Sequence, residues 1–89
     1  MLSLRVEGHA GYAEVGQDIV CASASILAYT FASIVESLCE DATISLKSGD
    51  TIIECESKPK TRNAFYYTKV GYELLEHNYP QYVSLIDLT

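Results

Sequence analysis

The sequence predicts one α+β domain in which two helices cover one face of a mostly antiparallel sheet. The chain has 89 residues, enough for a single hydrophobic core and therefore for one two-layer domain over residues 1–89. Short segments alternate apolar and polar residues, as strands do, and two longer segments repeat apolar residues at helical spacing. The predicted order is β-α-β-β-α-β, which favours both helices lying on the same side of the sheet.

The first strand is predicted over Leu2–Glu7, where apolar and polar side chains alternate as in a half-buried strand. Residues 8–17 follow as a loop that contains Gly8, Gly11 and Gly16. Because glycine reaches backbone angles that other residues avoid, we expect this loop to be mobile.

The first helix is predicted from residue 19 to about residue 39, with Asp18 as its N-cap. Its apolar residues cover a sector too wide for packing on one sheet, so we expect a second copy of the chain to cover part of it. They are Ile19, Ala22, Ile26, Tyr29, Ile34, Val35 and Leu38. Residues 19–35 carry no charge and approach the length that spans a bilayer, but serines and threonines interrupt them, so a buried helix without membrane contact is expected.

Four further elements complete the prediction. They are strands over 43–47 and 51–56, joined by a turn at Ser48 and Gly49, a helix over 62–77 and a last strand over 82–88. Pro59 is expected to break the chain before the second helix, and Pro80 to follow its end.

The charge and the cysteines narrow the classes of function. The net charge is −6, which argues against direct nucleic-acid binding and suits a basic protein or peptide as partner. Three cysteines without a signal peptide favour free thiols in the cytoplasm. Cys39 and Cys55 are expected to pack as small apolar side chains, and their spacing matches no zinc site. We expect neither a metal nor another cofactor.

Cys21 is the strongest candidate for chemistry. As the third residue of a helix capped by Asp18, it lies where unpaired N–H groups stabilise a thiolate, the nucleophilic form of cysteine. A helix terminus contributes about 0.3–1 kcal/mol, whereas bringing a free thiol from a pKa of about 8.5 to below 7 takes about 2 kcal/mol. A second positive group is therefore needed, and His9 is the histidine near enough in sequence. A buried, inert cysteine is the alternative on these residues alone.

Three nearby residues have two interpretations each. Asp18 caps the helix, or it orients His9 by accepting a ring N–H. Ser25, one turn beyond Cys21, donates a hydrogen bond toward a reacting carbonyl, or it simply packs. Tyr12 forms a wall of a substrate groove, or it packs within the loop.

The segment GHAGYAEVGQDIVCA, residues 8–22, followed by Ser25, resembles the Prp family, the ribosomal-processing cysteine peptidases of Firmicutes and related bacteria. The likeness extends to Glu73, Leu74 and Leu75 and to Tyr79 and Pro80 before the last strand. The family usually has an additional strand before the one leading into Gly8, and seven residues precede Gly8 here. This departure predicts an uncovered sheet edge or a chain that begins earlier.

The resemblance implies that Cys21 is the nucleophile and His9 its acid and base, with Asp18 and Ser25 in supporting positions. It implies a homodimer with a movable loop over the site. It also implies that the substrate is the N-terminal extension of a large-subunit ribosomal protein (number twenty-seven), cut after two aromatic residues. First-turn N–H groups are then expected to help hold the oxyanion. Two alternatives stay open: a non-enzymatic dimeric adaptor that binds a peptide or the ribosome, and a redox sensor that uses Cys21.

Overall fold

A computed structural model describes residues 1–8, 13, 18–47 and 49–85. These residues form three strands and two long helices in the order β-α-β-β-α. The elements are β1 (Leu2–Glu7), α1 (Ile19–Leu38), β2 (Thr43–Lys47), β3 (Asp50–Cys55) and α2 (Pro59–Asn78).

The sheet is antiparallel, with the order β1-β3-β2, so that β3 lies in the centre. Leu4 of β1 and Ile44 of β2 both lie opposite Ile53 of β3. Alternate residues of β3 are buried, which is the period expected when one face of a sheet meets the core. Gly49, in the turn between β2 and β3, has a φ of 77°, an angle that glycine adopts without strain.

Both helices cover the same face of the sheet, as the fold class predicts. Phe31 and Val35 of α1 pack with Ile53 of β3 and Ala64 of α2 in one cluster. The Phe31 ring meets the Phe65 ring edge to face, with 5.7 Å between the centroids. The α+β class, with helices on one side of an antiparallel sheet, is confirmed.

The second helix begins earlier than predicted. Pro59 was expected to lie before the helix, but it is the first helical residue. At that position the missing N–H of proline costs no hydrogen bond. Thr61 fixes this start, because its fully buried hydroxyl accepts from the Lys58 N–H (2.8 Å) and donates to the Glu56 carbonyl (2.8 Å).

The predicted last strand is wrong for residues 82–85, and residues 86–88 lie outside the described part. The N–H groups of Tyr82 and Val83 both donate to the Tyr79 carbonyl at 3.0 Å, so the chain turns after α2 instead of extending. Val83 and Leu85 then pack against buried residues of the two helices. Their apolar character reflects this packing and not a place in the sheet.

The outer side of the helix pair remains apolar and exposed. Ile26 and Tyr29 of α1 are 60% and 48% exposed, and Tyr67 and Leu74 of α2 are 69% and 58% exposed. A groove of about 290 Å³ runs between the helices on this side, with Ile26 and Leu74 among its walls. Part of the apolar sector predicted to be too wide for one sheet, including Ile26 and Tyr29, is thus left uncovered by the described residues, while Val35 of the same sector is buried.

By length and composition, α1 could also cross a membrane. The core helix of a globular domain meets the same two criteria, and α1 supplies Phe31 and Val35 to the core beneath the sheet.

Candidate active site

Asp18 shapes the start of α1. Its backbone is extended, and its carboxylate Oδ1 accepts hydrogen bonds from the N–H groups of Val20 and Cys21, both at 2.9 Å. Its carbonyl accepts the first helical hydrogen bond, from Ala22 at 3.0 Å. Asp18 is only 9% exposed, so water competes poorly for these donors. The prediction of a capping aspartate is confirmed.

Cys21 is the third residue of this capped helix, and its side chain is half-buried. It therefore lies within the first turn, where the helix dipole favours an anion, and remains reachable from solvent. The Asp18 carboxylate already uses the N–H groups of Val20 and Cys21. While the cap holds, these two groups are not available to an oxyanion, contrary to the general expectation for first-turn donors.

Ser25 lies one turn beyond Cys21 and is half-buried. Residues four apart on a helix share a face, so Ser25 and Cys21 belong to the same side of α1. Ser25 thereby adds a hydroxyl to the face of α1 that carries the thiol.

The base of the loop before α1 is held at two described points. Gly8 ends β1 with a φ of 79° and donates its N–H to the Gly49 carbonyl at 2.7 Å. Ala13, farther along the loop, donates its N–H to Asp18 Oδ2 at 3.4 Å. The other predicted site residues, His9, Gly11, Tyr12 and Gly16, lie outside the described residues.

The first turns of α1 are also held from below. Val20, next to Cys21, is fully buried against Tyr72 and Leu75 of α2, and Val6 of β1 packs against the same cluster. The Tyr72 hydroxyl donates to the Ala24 carbonyl at 2.7 Å, and burial raises the pKa of Tyr72 to about 12. No sequence pattern signalled this bond, since its partners are far apart in the chain and one is a backbone carbonyl.

The two remaining thiols lie away from this turn, whereas the second histidine, His77, is in the last turn of α2, close to Leu75, which packs against Val20. Cys39 caps the opposite end of α1, and Cys55 ends β3. All three cysteines are free. Within the described ranges, no three His, Cys, Asp or Glu side chains are grouped to hold a metal ion.

Comparison with known proteins decides the family. The profile of the family described as cysteine protease Prp matches residues 1–84. The chain belongs to the cysteine protease Prp family. The family assignment makes the protein a cysteine-type peptidase, and the capped helix start is where its structure presents a half-buried thiol.

A solved structure shares the fold of this family member. It is described as an essential ribosomal processing protease Prp from S. aureus in complex with a covalently linked product peptide. It superimposes with a TM-score of 0.84 at 23% sequence identity, over 93% of this chain and 83% of the S. aureus chain. None of the curated proteins matches this chain.

Proposed function

We propose that this peptidase removes the N-terminal extension of a large-subunit ribosomal protein (number twenty-seven), with Cys21 as nucleophile and His9 as its base and acid. One observation carries the proposal. In a chain of the cysteine protease Prp family, Cys21 is a half-buried cysteine in the first turn of a capped helix.

The proposed reaction is acyl transfer through a thioester. The Cys21 sulfur, deprotonated by His9, attacks the scissile carbonyl carbon, and the carbonyl π electrons move to oxygen. The intermediate then collapses, the C–N bond breaks, and His9 gives its proton to the leaving amine. Water, deprotonated by His9, hydrolyses the thioester and restores the thiol. Because Asp18 occupies the N–H groups of Val20 and Cys21, Ser25 is the hydroxyl we assign to the oxyanion.

Packing beneath the site supports the role of His9. Val6 of β1 and Val20 of α1 pack in one cluster, His9 is three residues beyond Val6, and Cys21 directly follows Val20. Three extended residues span about 10 Å. The spacing along the chain therefore supports the proposal that His9 reaches Cys21.

The charge of the chain supports a basic substrate. At −6, the protein attracts a positively charged ribosomal tail and accelerates its encounter, mainly at low salt. The S. aureus relative, a ribosomal processing protease, was captured with a covalently linked product peptide. This is consistent with a peptide held at a nucleophile of the shared fold.

The test compares matched variants on a peptide that contains the aromatic cleavage point. Cys21→Ala and His9→Ala are each expected to lower kcat/KM by at least about 10³-fold, since nucleophile and base act as a unit. The controls are Cys39→Ala, at the opposite end of α1, and His77→Ala, at an exposed position of α2; they change the same residue types outside the proposed machinery and should cleave at the normal rate. Cleavage that survives both site substitutions would falsify the assigned roles. Peptide binding without cleavage by the unaltered protein would favour an adaptor.

We also infer a cytoplasmic homodimer. The apolar outer side of the helix pair, with Ile26 and Leu74 exposed, offers a surface that a second copy would bury. Light scattering after size exclusion is expected to give twice the chain mass, and Ile26→Asp is expected to give the single mass. A monomer at tens of micromolar without any substitution would overturn the inference.

A further inference from the structure

A pair of thiols lies at the end of α1 opposite the candidate active site. Cys39 is the C-cap of α1, and Cys55 is the last residue of β3. Cys55 belongs to the main core cluster and Cys39 packs against that cluster. Thr43, four residues after Cys39, pairs with Glu54, which directly precedes Cys55, so the two thiols are neighbours. Neighbouring thiols can form a disulfide when their sulfurs approach to the bonded length of about 2.05 Å.

The two cysteines differ in access. Cys55 is 1% exposed, whereas Cys39 is half-buried and lines an open groove of about 480 Å³. Burial raises the pKa of the Cys55 thiol; the neighbouring Cys39 raises it further, and the N-terminal ammonium group opposes both effects. Cys39 is therefore the thiol that reacts first with an oxidant from solvent. Cys55 is the thiol that then reacts with the oxidised Cys39.

We propose that Cys39 and Cys55 form an oxidisable dithiol, which hydrogen peroxide converts to an intramolecular disulfide. The Cys39 sulfur attacks one peroxide oxygen, the O–O bond breaks, and a sulfenic acid and one water form. The Cys55 sulfur then attacks the Cys39 sulfur, the S–O bond breaks, and a second water leaves. Two thiols lose two electrons to one peroxide, which is reduced to two waters.

The walls of the groove select the class of oxidant. Glu36 and Glu40 stand on either side of Cys39 in the groove lining and are both exposed. Their carboxylates repel an anionic disulfide such as oxidised glutathione, whereas peroxide is small and uncharged. We therefore expect peroxide and the uncharged oxidant diamide to react faster at Cys39 than oxidised glutathione does.

The position of the pair separates it from catalysis. Cys21 and Cys39 are 18 residues apart on one helix, or about 27 Å at 1.5 Å per residue. A bond between Cys39 and Cys55 closes a loop around β2 and most of β3 without touching the first turn of α1. It also keeps Cys39 from irreversible over-oxidation.

The experiment uses Cys21→Ala, so that only the pair can react. After peroxide, intact mass is expected to fall by about 2 Da with no thiol left for alkylation. Digestion without reductant should yield the peptides of Cys39 and Cys55 joined. Closing this loop should raise the thermal midpoint by about 12–24 °C, and dithiothreitol should reverse the rise.

Two further variants make the outcome decisive. Cys21→Ala with Cys39→Ser should show neither the mass loss nor the rise in midpoint, and it avoids altering the buried Cys55. Protein with Cys21 intact is treated with diamide and then with a mild reductant that reverses oxidation of exposed thiols. It should keep the Cys39–Cys55 bond and cleave peptide normally. A gain of two or three oxygens at Cys39, disulfide-linked dimers, or unchanged mass would each overturn the proposal.

Discussion

Replacing Asp18 separates its hydrogen bonds from its charge. Asp18 Oδ1 accepts from the N–H groups of Val20 and Cys21 at 2.9 Å each, and Asp18 is nearly buried. Removing an N-cap costs about 0.5–2 kcal/mol. Because the Val20 N–H is buried and water cannot readily replace the carboxylate, Asp18→Ala is expected at the upper end, about 2 kcal/mol. For a domain of this size, that lowers the thermal midpoint by roughly 8–16 °C.

Asp18→Asn is the matched variant. Its amide oxygen still accepts from Val20 and Cys21, but its NH₂ group faces the Ala13 N–H, which now donates to Oδ2 at 3.4 Å. We expect a loss of only about 0.5 kcal/mol. If capping is the whole role of Asp18, kcat/KM of the Asn variant stays within about threefold of the unaltered protein.

Thermal unfolding followed by circular dichroism, together with peptide cleavage, distinguishes a capping role of Asp18 from a role in orienting His9. Asp41→Ala, an exposed aspartate beyond the other end of α1, controls for loss of charge alone. If Asp18→Asn unfolds as early as Asp18→Ala, the hydrogen-bond account is refuted. If it keeps its midpoint but loses more than about tenfold in kcat/KM, Asp18 also orients His9.

Three further substitutions test the packing that supports the site. Tyr72→Phe removes the bond to the Ala24 carbonyl and should cost about 1 kcal/mol at pH 7. The pKa of Tyr72 rises from 10 to about 12 on folding, so its contribution to stability is full below pH 10 and is lost as the pH rises toward 12. Over this range, the free energy of unfolding measured in urea should fall by about 2 kcal/mol, and Tyr72→Phe should lack this fall. A Cβ on Gly71 would lie 2.6 Å from Leu27 Cδ2. Gly71→Ala should therefore stabilise the fold by about 0.5–1 kcal/mol only when Leu27 is also replaced by Ala. Equal effects of Gly71→Ala with and without Leu27→Ala would contradict this close approach. Phe31→Ala, at a fully buried position, should cost about 3–5 kcal/mol in the same assay, and a loss below 1 kcal/mol would contradict its place in the core.

Local patterns predicted the elements that local forces decide. Alternation gave β1 its observed bounds, and the capping aspartate gave the start of α1. The prediction at Pro59 was wrong because proline breaks a helix when it lies in the interior but favours a helix start when it occupies the first position. The segment after Tyr79 was misread because its apolar residues pack on the helices, a contact that period alone does not distinguish from a strand.

In the candidate site, too, features set by neighbours in the chain could be predicted, and features set by tertiary contacts could not. The cap at Asp18 and the place of Cys21 in the first turn were predictable because capping depends on neighbours in the chain. The bond from Tyr72 to Ala24 and the pairing of Cys39 with Cys55 depend on the tertiary arrangement of distant segments. Neither leaves a periodic or compositional trace in a single sequence.

The hydroxyl of Tyr72 couples two surfaces that look independent. It holds the carbonyl of Ala24, three residues after the thiol, while Leu74 on the same helix faces outward. The helix that exposes Leu74 is thereby tied directly to the backbone of the turn that follows Cys21.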